Sequence, residues 1–152
     1  MKKLFFDMDG VIVNFQSGID KLDIDTLKKY KDCLDEVPGI FGLMEPIDGA
    51  IDAVYELSKH FDVYILSTAP WNNVSSLSDK IKFIHNYFGK DKDSVFYKKV
   101  FLTHHKEMVD GDILIDDRSN NGAKDFKGEW IHFGSEKYPN WKIVIEYIIK
   151  NK

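Results

Sequence analysis

The chain has 152 residues, of which 43% are hydrophobic and 30% charged, with a formal net charge of −4. That length supports one domain with a proper core and is too short for two, and the composition is ordinary for a globular protein. The acidic balance argues against a protein built to hold a nucleic-acid polymer, a single cysteine (Cys33) excludes an intrachain disulfide, and no apolar run approaches a membrane span.

The first apolar run, Leu4–Phe6, reads as a strand and is too short for a signal peptide, so a cytoplasmic protein is expected. Directly after it comes Asp7-Met8-Asp9-Gly10. Asp7 would emerge at the strand tip, Asp9 could point back into the same crevice, and Gly10 allows a sharp turn. Two carboxylates at this spacing can divide the work of phosphoryl transfer, one as an ionised nucleophile and the other as a proton donor. The string also resembles the start of an EF-hand calcium loop, but Val11 and Gly18 stand at loop positions 5 and 12, where ligands are required.

Residues 15–46 contain no strand-like run. Leu22, Leu27, Tyr30 and Leu34 suggest short helices, and Pro38-Gly39 marks a turn. Ligands in α/β sheets bind beyond the C-terminal strand ends, and this insertion leaves from such an end, so it is expected to form a lid. A helix follows over Ile47–His60, then a strand over Val63–Leu66. The hydroxyls and backbone N–H groups of Ser67-Thr68-Ala69-Pro70 could hold a phosphoryl oxygen at that strand end.

Trp71 suits a pocket wall or simple packing equally well. A helix over Asp79–Phe88 stops at Gly89 and carries Lys80 at its start. The strand Val100–Leu102 precedes Thr103 and Lys106, and these two lysines are the candidates to balance an anionic substrate. His104 and His105, adjacent and without a third ligand, are expected to face solvent. The strand Ile113–Ile115 delivers Asp116 and Asp117 to the same sheet edge, and hard oxygens from separate segments suit Mg²⁺. A weaker strand over Trp130–Phe133 and a closing helix over Trp141–Ile149 complete the pattern.

Strands alternating with helices predict an α/β fold with a doubly wound, Rossmann-like parallel sheet of about five strands. Residues 1–152 are read as one domain, with 15–46 a small helical cap inserted after the first strand.

These elements in this order resemble the haloacid dehalogenase superfamily, and most closely its 5′(3′)-deoxyribonucleotidases. The resemblance runs through Phe6–Val11, Pro38-Gly39-Ile40-Phe41 with Glu45–Ala50, Asp79-Lys80 with Tyr87-Phe88-Gly89, Thr103 with Lys106, Ile113–Arg118 and Asn140-Trp141. It implies Asp7 as nucleophile and metal ligand, and Asp9 as general acid with a metal-binding backbone carbonyl. It further implies Asp117 as a direct ligand of Mg²⁺ with Asp116 behind it. Ser67, Thr68 and Lys80 would bind phosphate, Lys106 would be a second basic contact, and Phe15 and Phe41 would line a nucleoside pocket. The insertion is short and lacks tryptophan, and Asn14 stands where the family often has aspartate.

The expected function is therefore Mg²⁺-dependent hydrolysis of nucleoside, especially deoxyribonucleoside, monophosphates through an aspartyl phosphate. The partners expected are that small phosphomonoester alone, with neither a nucleic-acid polymer nor a membrane. The same core acting on a sugar phosphate is the first alternative, and a binding module without turnover the second.

Overall fold

The computed structural model describes residues 1–151. Five parallel strands form the sheet: β1 (Lys3–Phe6), β4 (Asp62–Ser67), β5 (Val100–Leu102), β6 (Ile113–Asp116) and β7 (Glu129–His132), in the order β5-β4-β1-β6-β7. β1 lies in the middle, and the chain proceeds from it first to one side and later to the other. Its C-terminal end is thus the switch point at which such sheets bind ligands.

Alternate residues of the strands build two cores of unequal depth. Leu4, Phe6, Val63, Ile65, Ile113, Ile115 and Ile131 face a large cluster covered by three helices, α3 (Ala50–Ser58), α4 (Ser75–Phe88) and α5 (Trp141–Asn151). Phe5, Leu66 and Leu114 face the other side, where Ala123 and Phe126 of a short 3₁₀ segment cover them. Both sets are buried, which is why the strands read as continuous apolar runs rather than alternating ones.

The insertion predicted over 15–46 contains α1 (Phe15–Ile19), α2 (Ile24–Lys29) and 3₁₀ turns at Leu34–Glu36 and Ile40–Leu43. Contrary to the strand-free expectation, a two-residue ladder closes its base: β2 (Val13–Asn14) pairs antiparallel with β3 (Glu45–Pro46). Two-residue strands are too brief to leave a periodic signature. Asn14 caps α1, its Oδ1 accepting from the Ser17 N–H at 3.3 Å.

Two helix starts also differ from prediction. α3 begins at Ala50 rather than Ile47, because Ile47 is drawn to the first loop by its N–H donating to the Ile12 carbonyl at 2.7 Å, and Gly49 has φ +78°. α4 begins four residues before Asp79, at Ser75, where the buried Asn73 carbonyl accepts from the Ser76 N–H and hydroxyl. Lys80 therefore sits in the second turn of α4 instead of at its start. No helix among the described residues is long and apolar enough to cross a membrane.

Candidate active site

Asp7 follows β1 without a break, its N–H donating to the Ile115 carbonyl at 2.9 Å, so the sheet itself sets its position. The chain then turns tightly over Met8–Val13. The Met8 carbonyl accepts from Val11, Ile12 and Val13, and the Gly10 N–H donates to the Val13 carbonyl. This turn returns Asp9 beside Asp7. Gly10 has φ +76°, and a Cβ there would lie 2.1 Å from Asp117 Oδ2. Glycine at this position both permits the turn and leaves room for a carboxylate from β6's end.

Asp7, Asp116 and Asp117 each place a carboxylate oxygen within 4.8 Å of the others. Two buried lysines serve three of the four acids, Asp7 and Asp116 by one and Asp9 by the other. Lys106, 3% exposed, lies 2.5 Å from Asp116 Oδ2 and 3.1 Å from Asp7 Oδ1. Lys80, 1% exposed, donates to Asp9 Oδ2 at 2.7 Å and to Ser67 Oγ at 3.3 Å. The lysine near the acidic cluster, Lys106, is thus engaged with carboxylates, whereas Lys80 bridges the Asp9 side and the end of β4.

Asp116 has both oxygens occupied, since Oδ1 accepts from the Arg118 N–H at 3.0 Å. Asp117 Oδ1 is buried without a hydrogen-bond partner, as is Asp9 Oδ1. An orphaned buried carboxylate oxygen is costly unless something absent from the protein completes it. The donor set, all hard oxygens from two chain segments, fits a small divalent cation, with Asp117 carrying the available ligand atom and Asp116 held by Lys106. The acidic pair is also braced through its backbone. Trp130 Nε1 donates to the Asp116 carbonyl at 3.1 Å, and His132 Nε2 lies 2.9 Å from that of Asp117.

The electrostatics follow from this crowding. Burial, then the charge of Asp7, raises Asp116 to about 7 against the pull of Lys106. The same two causes raise Asp117 to about 6, with Arg118 opposing. Burial raises Asp9 too, in spite of Lys80. Lys106 is raised: burial alone would lower it, but Asp7 and Asp116 together outweigh that. Asp9, which tends to keep its proton, thus stands beside a second carboxyl held by a lysine, an arrangement suited to acid–base chemistry.

Above these groups opens a cavity of about 660 Å³. Asp9, Thr68, Asp117 and Arg118 form its floor, Leu34, Asp35 and Glu36 of the insertion one wall, and Pro70, Trp71 and Asn72 another. Ser67 is 1% exposed at the tip of β4. Thr68 reaches the cavity, but its hydroxyl donates to the Thr103 carbonyl at 2.7 Å. Phe15 and Phe41 line the cavity with ring centroids 5.8 Å apart, edge to face.

Phe41 is 4% exposed, and Lys80 Nζ lies 4.5 Å from its ring centroid. One face of that ring is therefore spent on the lysine. Trp71 is 85% exposed at the cavity mouth, its ring edge-on to His104, which makes it a wall residue rather than packing. His104 and His105 are exposed as expected.

Arg118, Asn72 and Asn121 line the cavity without having been singled out, and the exposed His104 lines it too. Arg118 had one signal, its place directly after the acidic pair; the others are brought in by loops whose course no local pattern encodes.

Comparison with known proteins agrees with this geometry. The profile of the family described as 5′ nucleotidase, deoxy (pyrimidine), cytosolic type C matches residues 24–144. An assigned 5′(3′)-deoxyribonucleotidase of Vibrio phage KVP40 is 50% identical over 95% of this chain and 83% of its own. The human cytosolic-type 5′(3′)-deoxyribonucleotidase is 26% identical over 86% of this chain and 77% of its own. Among solved structures, an assigned haloacid dehalogenase hydrolase of Bacillus subtilis, YfnB, determined with bound magnesium, has a TM-score of 0.61 and covers 99% of both chains at 17% identity. A haloacid dehalogenase-like hydrolase of Streptococcus pneumoniae has a TM-score of 0.54 over 86% of this chain and 83% of its own, at 16% identity. On the haloacid dehalogenase fold, this chain belongs to the 5′(3′)-deoxyribonucleotidase family.

Proposed function

We propose that this protein is a Mg²⁺-dependent phosphatase that hydrolyses deoxyribonucleoside monophosphates through an aspartyl phosphate. One observation carries the reading: Asp7 and Asp9 sit side by side at the switch point of the sheet, each contacted by its own buried lysine, under a cavity of nucleotide size walled by the insertion. Asp7 Oδ attacks phosphorus in line as the bond from phosphorus to the ester oxygen breaks, and Asp9 gives its proton to that departing oxygen. Asp9 then takes a proton from water, whose oxygen attacks the phosphorus, releasing phosphate and restoring Asp7. The raised proton affinity of Asp9 supports its starting this cycle protonated.

Lys80 and Ser67 would bind phosphoryl oxygens, and Thr68 would add its backbone N–H, because its hydroxyl proton is already used. Lys106 holds Asp7 and Asp116 in position. Asp7, Asp117 and the Asp9 carbonyl would hold Mg²⁺, with Asp116 behind, and the ion would supply positive charge to offset the negative charge on the phosphoryl oxygens. We read residues 15–46 as a cap over a single domain, and Phe15 as part of the nucleoside wall.

A phosphate-release assay over deoxyribonucleotides, ribonucleotides and sugar phosphates tests the assignment. The expected result is highest kcat/KM on a deoxyribonucleoside monophosphate. Equal or better turnover of sugar phosphates would overturn it.

A further inference from the structure

The cavity has two walls that come from distant parts of the chain, and one buried side chain joins them. Asn73 follows the Pro70–Asn72 wall and is 3% exposed. Its Nδ2 donates to the carbonyls of Asp35 at 2.9 Å and Val37 at 3.0 Å, inside the insertion. Its Oδ1 accepts from the Ser75 hydroxyl at 2.6 Å, and Ser75 Oγ in turn accepts from the Gly39 N–H at 2.9 Å. The amide orientation is determined by these partners, because a flipped amide would aim its oxygen at two carbonyls.

Asn73 is equally fixed on its own side. Its N–H donates to the Pro70 carbonyl, and its carbonyl accepts from the Ser76 N–H and hydroxyl at the start of α4. Nearby, Asn72 Nδ2 donates to Glu36 Oε1 at 3.0 Å, so a second contact crosses the same seam. The segment carrying Asp35 and Glu36 is thus tied to α4 by the protein's own groups. None of these groups belongs to the phosphate-handling set of Asp7, Asp9, Lys80 and the β6 acids.

We infer that Asn73 is a specificity-determining positioning residue, a clamp that sets the distance between the cap wall and the Pro70–Asn72 wall and so preforms the nucleoside half of the cavity. A wall already fixed costs the ligand little ordering, and the benefit falls on the part of the substrate that touches it. A phosphomonoester with a small leaving group gains nothing from that wall. The inference rests on the nucleotidase reading for its substrate, but not for the clamp itself.

Three proteins test it: the wild type, Asn73→Asp and Ser75→Ala. Asn73→Asp keeps the volume and replaces the donor by an acceptor facing two carbonyls, while Ser75→Ala removes the link to Gly39 and the hydroxyl donated to Asn73 Oδ1 but leaves the Asn73 Nδ2 bonds to Asp35 and Val37 in place. Kinetics are measured with a deoxyribonucleoside monophosphate and with p-nitrophenyl phosphate, and amide hydrogen exchange is followed in the ligand-free proteins.

For Asn73→Asp the nucleotide KM should rise about tenfold or more with kcat nearly unchanged, the loss expected from one or two buried hydrogen bonds. The KM for p-nitrophenyl phosphate should move much less. Exchange should speed up about tenfold over residues 34–39 and stay unchanged in α5. Equal losses on both substrates, an unchanged nucleotide KM, or unchanged exchange in that segment would each overturn the clamp.

If Asn73→Asp does not fold, Ser75→Ala decides. Faster exchange of the Gly39 amide with a raised nucleotide KM supports the clamp, and no change in either refutes it. Failure of the nucleotidase reading shows separately, as a wild type that turns over nucleotides no better than p-nitrophenyl phosphate. The exchange measurement then still decides whether Asn73 holds the wall.

Discussion

Asp7 stands at the tip of the central strand with Lys106 against one oxygen. Asp7→Asn preserves shape and removes the nucleophile, so turnover should fall by at least about a thousandfold. The fold should survive, as read by an unchanged far-UV spectrum and Tm within a few degrees. Retained activity at a few per cent of wild type would exclude the covalent route. The family resemblance places Phe41 in the wall of a nucleoside pocket, and loss of a ring acting there alone would harm nucleotides alone. Because it packs on Lys80 and is nearly buried, Phe41→Ala should instead lower kcat/KM for nucleotide and p-nitrophenyl phosphate alike, and destabilise the chain by about 3–5 kcal/mol. Parallel kinetics on the two substrates, with a denaturation curve, check both parts.

At the scale of elements, the turn after β1 is where backbone conformation and chemistry meet. Gly10 is left-handed and lies against Asp117, so Gly10→Ala strains the turn by about 1–2 kcal/mol and pushes the carboxylate aside. The Mg²⁺ concentration for half-maximal activity should rise about tenfold or more, comparable to the loss of a group supporting a metal ligand. A titration of activity, paired with Mg²⁺ binding by calorimetry, separates this from a general loss of fold. The start of α4 shows why helix boundaries were misplaced in the sequence reading. Ser75, Ser76 and Ser78 carry no apolar period, and the helix begins there because the buried Asn73 accepts from the Ser76 N–H and from the hydroxyls of Ser75 and Ser76. That extra turn is what carries Lys80 beneath Phe41 and onto Asp9.

Across the whole molecule, the acidic cluster makes stability depend on pH and metal in a linked way. Asp116 and Asp117 are raised from 3.8 to about 7 and about 6, so between these limits the metal-free folded state binds more protons than the unfolded chain. Stability of the metal-free protein should therefore fall as pH rises from about 4 to 7 and level off above that. Mg²⁺ needs the ionised carboxylates, so it should raise Tm more at pH 8 than at pH 5; at a hundredfold excess over its Kd the stabilisation is about 2.7 kcal/mol. Calorimetric Tm values at both pH values, with chelator and with Mg²⁺, measure this. An Asp117→Asn control should lose most of the difference, and a metal effect independent of pH would contradict the assignment of the cluster.

The order of strands and helices and the two acidic motifs were legible in the sequence because each is local. An apolar run ending in Asp7-Met8-Asp9-Gly10, or in Asp116-Asp117, states within eight residues both a strand and what it carries to the sheet edge. Even the pairing of Lys80 and Lys106 with the acids could be anticipated from charge, though not which lysine meets which acid. That division, Lys106 to Asp7 and Asp116 and Lys80 to Asp9, depends on the register of β4 beside β1 and of β5 beside β4, and on where α4 starts. The uneven cover of the two sheet faces, the β2–β3 ladder and the cavity walls were likewise settled by contacts between segments more than 20 residues apart. Asn73 is the clearest instance. In sequence it is one polar residue in a loop, and it becomes a clamp because the fold brings the carbonyls of Asp35 and Val37 to its amide, where burial leaves them no water to bond.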